Sequence, residues 1–92
     1  MQPITIPQPQ KKGYTIYTRN GCEYCKLTKQ LLQPTIHTIV DCNNLYLDNK
    51  DRFFEKMAEY TKKSHKTFPI IFYNAEFVGG YSEIKQILNK IK

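Results

Sequence analysis

The sequence predicts a small α/β domain of order βαβαββα, a four-stranded mixed sheet with helices on both faces. Three observations carry that prediction. Short runs rich in β-branched and aromatic residues alternate with runs whose apolar residues recur at three- and four-residue steps. A Cys-x-x-Cys pair, Cys22 and Cys25, falls where the first such strand gives way to the first such helix. Ninety-two residues allow one two-layer core and no second domain.

Residues 1–12 carry three prolines and no sustained periodicity, which favours extended backbone without ladder bonds. They are expected to form an arm preceding a domain of residues 13–92, with Ile4-Thr5-Ile6 able to dock on it. Behind Gly13, Tyr14 to Thr18 reads as a short buried strand, and Arg19-Asn20-Gly21 as the loop after it. A helix is expected from Glu23 to Gln33, stopped by Pro34. Its spacing buries Tyr24, Leu27, Thr28, Leu31 and Leu32 and leaves Lys26 and Lys29 on the other face. Thr35 to Asp41 reads as the second strand. A strand-helix-strand unit of this length makes the two strands parallel, with a right-handed crossover. Cys42 to Asp48 reads as a connection.

The second helix is expected from Lys50 to Lys63, capped by Asp48 or Asn49. Its stripe is Phe53, Phe54, Met57, Ala58, Tyr60 and Thr61. Thr67 to Tyr73 reads as the third strand. Asn74-Ala75 turns the chain, and Glu76 to Val78 returns antiparallel, because the turn is short. Gly79-Gly80 breaks that strand. Tyr81 or Ser82 opens the last helix, with Ile84, Ile87, Leu88 and Ile91 at helical spacing.

Composition narrows the function classes. An apolar fraction of 40% and a charged fraction of 24% are ordinary for a soluble domain. No apolar run approaches the roughly 18 residues of a membrane span, and the N-terminus lacks the basic start and apolar stretch of a signal peptide. The formal charge is +6, but the lysines are scattered, so no nucleic-acid partner is expected. Three cysteines cannot all pair within one chain. The count suits a reducing compartment, with Cys22 and Cys25 as a working dithiol and Cys42 as a spare. A cytoplasmic monomer is expected. A Cys-x-x-Cys pair can also be half of a zinc site. No second cysteine pair completes one, and His37 and His65 are not at ligand spacing to Cys42, so no metal ligands are expected. His37 and His65 read as ordinary strand and loop residues.

Three separated motifs occur in order: Cys22-Glu23-Tyr24-Cys25, then Thr67-Phe68-Pro69, then Gly79-Gly80-Tyr81-Ser82-Glu83. Together they resemble a dithiol glutaredoxin of the thioredoxin-like superfamily, over Gly13 to Lys92. The resemblance implies a glutathione-dependent thiol–disulfide oxidoreductase. Its partners would be glutathione, as electron donor and co-substrate, and disulfide-bonded or glutathionylated proteins.

The residues themselves assign the two sulfurs. Exchange needs a thiolate, and Cys22 stands just ahead of a helix, where unpaired amides and the macrodipole favour negative charge. Arg19 adds a cation nearby. Cys22 is therefore expected to attack and Cys25, one turn inside, to resolve. Glu23 takes the place of the family's usual proline and sets a negative charge beside that thiolate, partly offsetting the stabilisation.

The rest of the site follows from the resemblance. It implies a cis bond before Pro69 and a Phe68 backbone facing a glutathione groove. Phe68 is larger than the family's valine and is expected to narrow that groove. Backbone amides near Ser82 and Glu83, after the close approach that Gly79-Gly80 allows and with Tyr81 among the binding residues, would receive the γ-glutamyl carboxylate, with Glu83 facing its ammonium. Ser82 is also a natural helix cap. Arg19 replaces the family's lysine for the glycine carboxylate, Lys56 is a candidate second contact, and Tyr24 would line the groove with Thr67.

Two other functions compete. Some glutaredoxins hold an iron–sulfur cluster between two monomers through the first cysteine and glutathione. The branch specialised for this carries Cys-Gly-Phe-Ser, and the second cysteine here argues against it. Thioredoxins, reduced by a flavoprotein, usually carry Trp before the dithiol; this chain has no Trp.

Overall fold

In the computed structural model, which describes residues 5–91, the chain runs β1 (Tyr14–Thr18), α1 (Glu23–Leu31), β2 (His37–Asp41), α2 (Asn43–Asp48), α3 (Lys50–Thr61), β3 (Ile70–Tyr73), β4 (Glu76–Gly79) and α4 (Tyr81–Ile91). The expected order holds, with one helix added. Residues 43–48 form α2 where a plain connection was expected. Six residues are too few for an apolar period to show, and no side-chain hydrogen bond caps its start.

Element ends shift for local reasons. α1 stops at Leu31, before Gln33, because Leu32 leaves helical geometry at ψ 4°. β3 begins at Ile70 instead of Thr67, since Pro69 has no N–H to give the ladder. The Phe68–Pro69 peptide is cis. Of the two candidate caps for α3, Asn49 serves: its side-chain oxygen accepts the Arg52 N–H at 3.1 Å.

The sheet has the order β2-β1-β3-β4. β1 and β2 are parallel, in register from Tyr14 opposite His37 to Thr18 opposite Asp41. β1 pairs with β3, and β3 with β4, antiparallel. Alternation along the central strands sends side chains to two cores. Tyr17, Ile70 and Phe72 face α3 and meet Phe53 and Met57. Ile16 and Ile71 face the other way and meet Leu32 and Ile84. Helices thus cover both faces, the thioredoxin-like architecture.

The N-terminal segment adds to the first core. Ile6 is only 5% exposed and packs into the cluster of Tyr17, Phe53, Met57 and Phe72. Its carbonyl accepts the Tyr60 O–H at 2.7 Å. The next carbonyl, of Pro7, accepts the Tyr17 O–H at 2.5 Å, and the Gln10 N–H donates to Thr15 Oγ1 at 2.9 Å. Of the expected docking trio, Ile4 lies outside the described residues. Among those residues no helix is long and apolar enough to cross a membrane.

Candidate active site

The dithiol sits where β1 hands over to α1. Cys22 caps the helix in extended geometry (φ −104°, ψ 105°). Its Sγ accepts the Cys25 N–H at 3.1 Å, and its carbonyl accepts the Lys26 N–H at 3.2 Å. A sulfur in this position meets one of the amides that a helix start leaves unpaired. Cys22 and Cys25 form a disulfide, with Cα atoms 5.2 Å apart. The two differ in access: Cys25 is 1% exposed, whereas Cys22 is half-buried. The spacing of two residues produces this difference, since it turns Cys25 under the first helical turn.

Two grooves meet beside the dithiol. The first, of about 350 Å³, is lined by Tyr24, Thr67, Phe68, Gly80, Tyr81, Ser82 and Glu83 together with His65. Three stretches far apart in sequence thus converge on one cleft. The second, of about 340 Å³, holds Arg19, Cys22, Glu23, Tyr46, Phe54 and Lys66, and shares Tyr24, Thr67 and Phe68 with the first. Arg19 therefore belongs to the neighbouring groove, reached across Phe68. Pro69 is buried behind them.

Phe68 does less to narrow the groove than its size suggested. Its ring stacks on Phe53 at 5.5 Å and meets Tyr46 edge-on at 5.3 Å. It packs back into the core and forms the ridge between the grooves. Tyr24 lines the first groove but departs from the packing expected on the helix stripe. The helical spacing placed it on the buried stripe, but it is 58% exposed. It lies against Tyr81, ring centroids 5.4 Å apart at 30°, so the two tyrosines wall the first groove.

At the start of α4 the cap is Gly80, not Ser82: the Gly80 carbonyl accepts the Ile84 N–H at 3.1 Å. Ser82 is the second helical residue, where backbone amides have no helical partner. Glu83 reaches back, and its Oε1 accepts the Gly80 N–H at 2.7 Å, half of a capping box. Lys56 is not brought to the site. It pairs with Glu59 at 3.3 Å and lines a small groove, of about 150 Å³, with Thr5, Ile6 and Tyr60.

His65, Tyr46 and Lys66 line the site but were not assigned to it from the sequence. His65 lines the first groove, with Nε2 3.4 Å from Thr67 Oγ1 and its ring edge-on to Phe77 at 5.1 Å. Its position two residues before Thr67 was the available signal. Tyr46 comes from the unforeseen α2. The Arg19 guanidinium lies 5.0 Å from its ring centroid and the Lys50 ammonium 5.3 Å, an arrangement attractive to both cations. Cys42 is apart from the site, fully buried, and burial pushes its thiol up to about 12, with Asp41 adding to the effect. Among the described residues no cluster of three or more His, Cys, Asp or Glu side chains could hold a metal ion.

Solved structures share this architecture. Glutaredoxin 1 from Francisella tularensis, complexed with cacodylate, superposes with a TM-score of 0.73 at 29% identity, covering 86% of this chain and 94% of that one. Reduced Escherichia coli glutaredoxin gives 0.66 at 22% identity, covering 85% and 94%. A buckwheat glutaredoxin–glutathione complex gives 0.66 at 18% identity, covering 86% and 70%. No protein of curated function matches the chain. The glutaredoxin family model matches residues 14–78, a span that takes in the dithiol, the cis proline and the strand leading to Gly79-Gly80. With a disulfide-forming Cys-x-x-Cys at the first helix start of a matching fold, the chain belongs to the glutaredoxin family and is of the thiol–disulfide oxidoreductase type.

Proposed function

We propose that the chain uses glutathione to reduce protein disulfides and glutathione mixed disulfides, with Cys22 as the attacking thiolate and Cys25 as the resolving thiol. One observation carries the reading: the half-buried Cys22 lines a groove that holds Arg19 and shares Tyr24, Thr67 and Phe68 with the groove walled by Tyr81 and the start of α4. Glutathione is a short peptide with a carboxylate at each end, and the two grooves offer a place for each. The amides of Ser82 and Glu83 suit the γ-glutamyl carboxylate. Arg19 suits the glycine carboxylate, and the Phe68 backbone suits the peptide between them. Glu83 already holds the Gly80 N–H through one oxygen, which leaves its other oxygen for the ligand's ammonium.

In the reduced protein the Cys22 thiolate attacks a substrate sulfur, forms a mixed disulfide and expels the other sulfur as a thiolate. With a protein disulfide, Cys25 then attacks Cys22 Sγ and releases the reduced substrate. With a glutathionylated protein, Cys22 takes the glutathionyl group, and a second glutathione removes it as glutathione disulfide. The buckwheat relative's complex with glutathione supports the ligand class.

Two variants test the reading. Cys22→Ser should abolish both reactions in a glutathione-coupled assay. Cys25→Ser should abolish reduction of protein disulfides and retain deglutathionylation. Loss of both reactions on Cys25→Ser alone would reverse the assignment of the sulfurs. Reduction by a thioredoxin reductase but not by glutathione would reject the co-substrate.

A further inference from the structure

We propose that a third groove, on the α1 side of the dithiol, docks disulfide-bearing protein segments with acidic residues beside the disulfide. The proposal rests on the glutathione reading only for the return of electrons to the dithiol. This groove, of about 400 Å³, is lined by Arg19, Asn20, Lys26 and Lys29 together with both cysteines. It meets the Arg19 groove at Cys22 and shares no lining residue with the groove of Tyr81 and Glu83. A polypeptide can therefore reach Cys22 without crossing the groove of Tyr81 and Glu83, although it shares Arg19 with the glycine end of the proposed glutathione site.

Its chemistry is lopsided. Three cations face it, and Glu23 is the only acid in its wall. Among the described residues the one ion pair joins Lys56 to Glu59, so no carboxylate lies within ion-pair distance of Arg19, Lys26 or Lys29. Lys26 and Lys29 stand one turn apart, and like charges at that spacing disfavour a helix. A partner carrying Asp or Glu would relieve that repulsion. The groove has no apolar side chain besides the cysteines, so it would select by charge and not by apolar burial. It also has no aromatic ring on which a nucleic-acid base could stack, which favours an acidic peptide over a single strand.

The redox step balances within the two chains. The Cys22 thiolate attacks one sulfur of the docked disulfide and expels the other, which takes the proton given up by Cys25. The Cys25 thiolate then attacks Cys22 Sγ, expels the second partner sulfur as a thiolate and closes the Cys22–Cys25 bond. Two electrons pass to the partner. Two glutathiones return them and leave as glutathione disulfide.

The test uses the intact protein and three disulfide peptides of equal length, flanked by Asp, Ser or Lys. At about 20 mM salt the Asp peptide should show a kcat/KM at least about tenfold above the Lys peptide. That gap should close near about 500 mM, where charges are screened within a few ångströms. Lys26→Gln/Lys29→Gln should remove most of the gap and leave the Ser peptide within about twofold. Equal rates for Asp and Lys peptides, or a preference unchanged in the double variant, would overturn the proposal. So would an equal loss on all three peptides, a raised KM for glutathione, or stronger competition by a single-stranded oligonucleotide than by the Asp peptide. If glutathione turns over none of the peptides, the same rates are read with dithiothreitol. A charge preference seen there keeps the docking surface and rejects the glutathione reading; its absence rejects the docking surface.

Discussion

Ile6 enters the core from a segment expected to precede the domain, so Ile6→Ala tests whether residues 5–10 are part of the fold. The side chain is 5% exposed and touches a cluster that includes Tyr17, Phe53 and Met57. Truncating a buried Ile to Ala costs about 2–5 kcal/mol, depending on how far the site collapses. Here the segment's other ties act through groups that the substitution keeps: Tyr60 to the Ile6 carbonyl, Tyr17 to the Pro7 carbonyl, and Gln10 to Thr15. They hold the backbone in place and restrict collapse, which points to about 3 kcal/mol. A domain of this size has about 5–14 kcal/mol in total, so a substantial part would go. At about 4–8 °C per kcal/mol, the melting temperature should fall by more than 10 °C. Urea unfolding followed by circular dichroism measures the change, with the exposed Gln8→Ala as control at under about 0.5 kcal/mol. Disulfide turnover well below the melting temperature should persist, because Ile6 lines neither groove beside Cys22. An Ile6→Ala loss no larger than the control's would refute the reasoning and make the segment a surface appendage.

Three further outcomes follow from the same geometry. Burial raises the Cys42 thiol from 9.0 to about 12; a raised group contributes fully below its unfolded value and loses that contribution as pH climbs towards the folded one. Urea midpoints should therefore fall between pH 9 and 12, and Cys42→Ala should flatten the fall, leaving the part due to Tyr17, whose phenol burial also pushes up; a slope unmoved by the substitution would contradict this. Gly79 has φ +135°, and a Cβ there would lie 2.7 Å from Glu83 Cγ and Oε1. Gly79→Ala should thus lower stability by about 1–3 kcal/mol and weaken glutathione binding through the displaced Glu83, whereas normal melting and a normal glutathione titration would count against it. Glu23→Pro keeps a residue suited to the first helical turn and removes the carboxylate beside Cys22. The thiolate absorbance of the reduced protein should then appear at lower pH, and an unchanged or later rise would reject the proposed opposition of charges.

Much of the fold was legible because its elements carry strong local signals. β1 is a compact β-branched and aromatic run, observed at the expected residues. The Asn74-Ala75 turn is short enough to dictate an antiparallel return, and both its residues take positive φ. The motif glycines and prolines marked where strands stop. What escaped depended on contacts distant in sequence. α2 is shorter than two full periods, so residues 43–48 show no stripe. Tyr24 sits at a helical position whose neighbours are buried, yet Tyr81, far along the chain, holds its ring at the surface. Lys56 was drawn towards the site by analogy of position, and the turn of α3 carries it to Glu59 and the N-terminal segment instead. Ile6 lacked any periodic neighbour, so only the tertiary structure shows it as core.

Phe68, Tyr46 and Arg19 make one unit that no single motif announces. A phenylalanine in the middle of Thr67-Phe68-Pro69 would fill a groove if its ring pointed outward. It stays inward because Phe53 of α3 stacks beneath it and Tyr46 of α2 meets its edge. Aromatic pairs of this kind contribute about 0.5–1.5 kcal/mol each. Tyr46 also meets Phe53 and Phe54 edge-on, so these contributions share rings and do not add. The outer face of Tyr46 then carries Arg19, at 5.0 Å, with a second approach to Phe68 at 5.8 Å. The cation that faces Cys22 in two of the grooves is thus oriented by a six-residue helix and a motif phenylalanine together. Enlarging the motif residue and recruiting α2 against it are therefore coupled. Replacing Phe68 with the smaller valine would remove one of the three edge contacts of Tyr46 and one of the two rings that Arg19 approaches, and so loosen Arg19. A change that looks like opening the proposed glutathione groove would, by this packing, weaken the charge proposed to hold the ligand's glycine end.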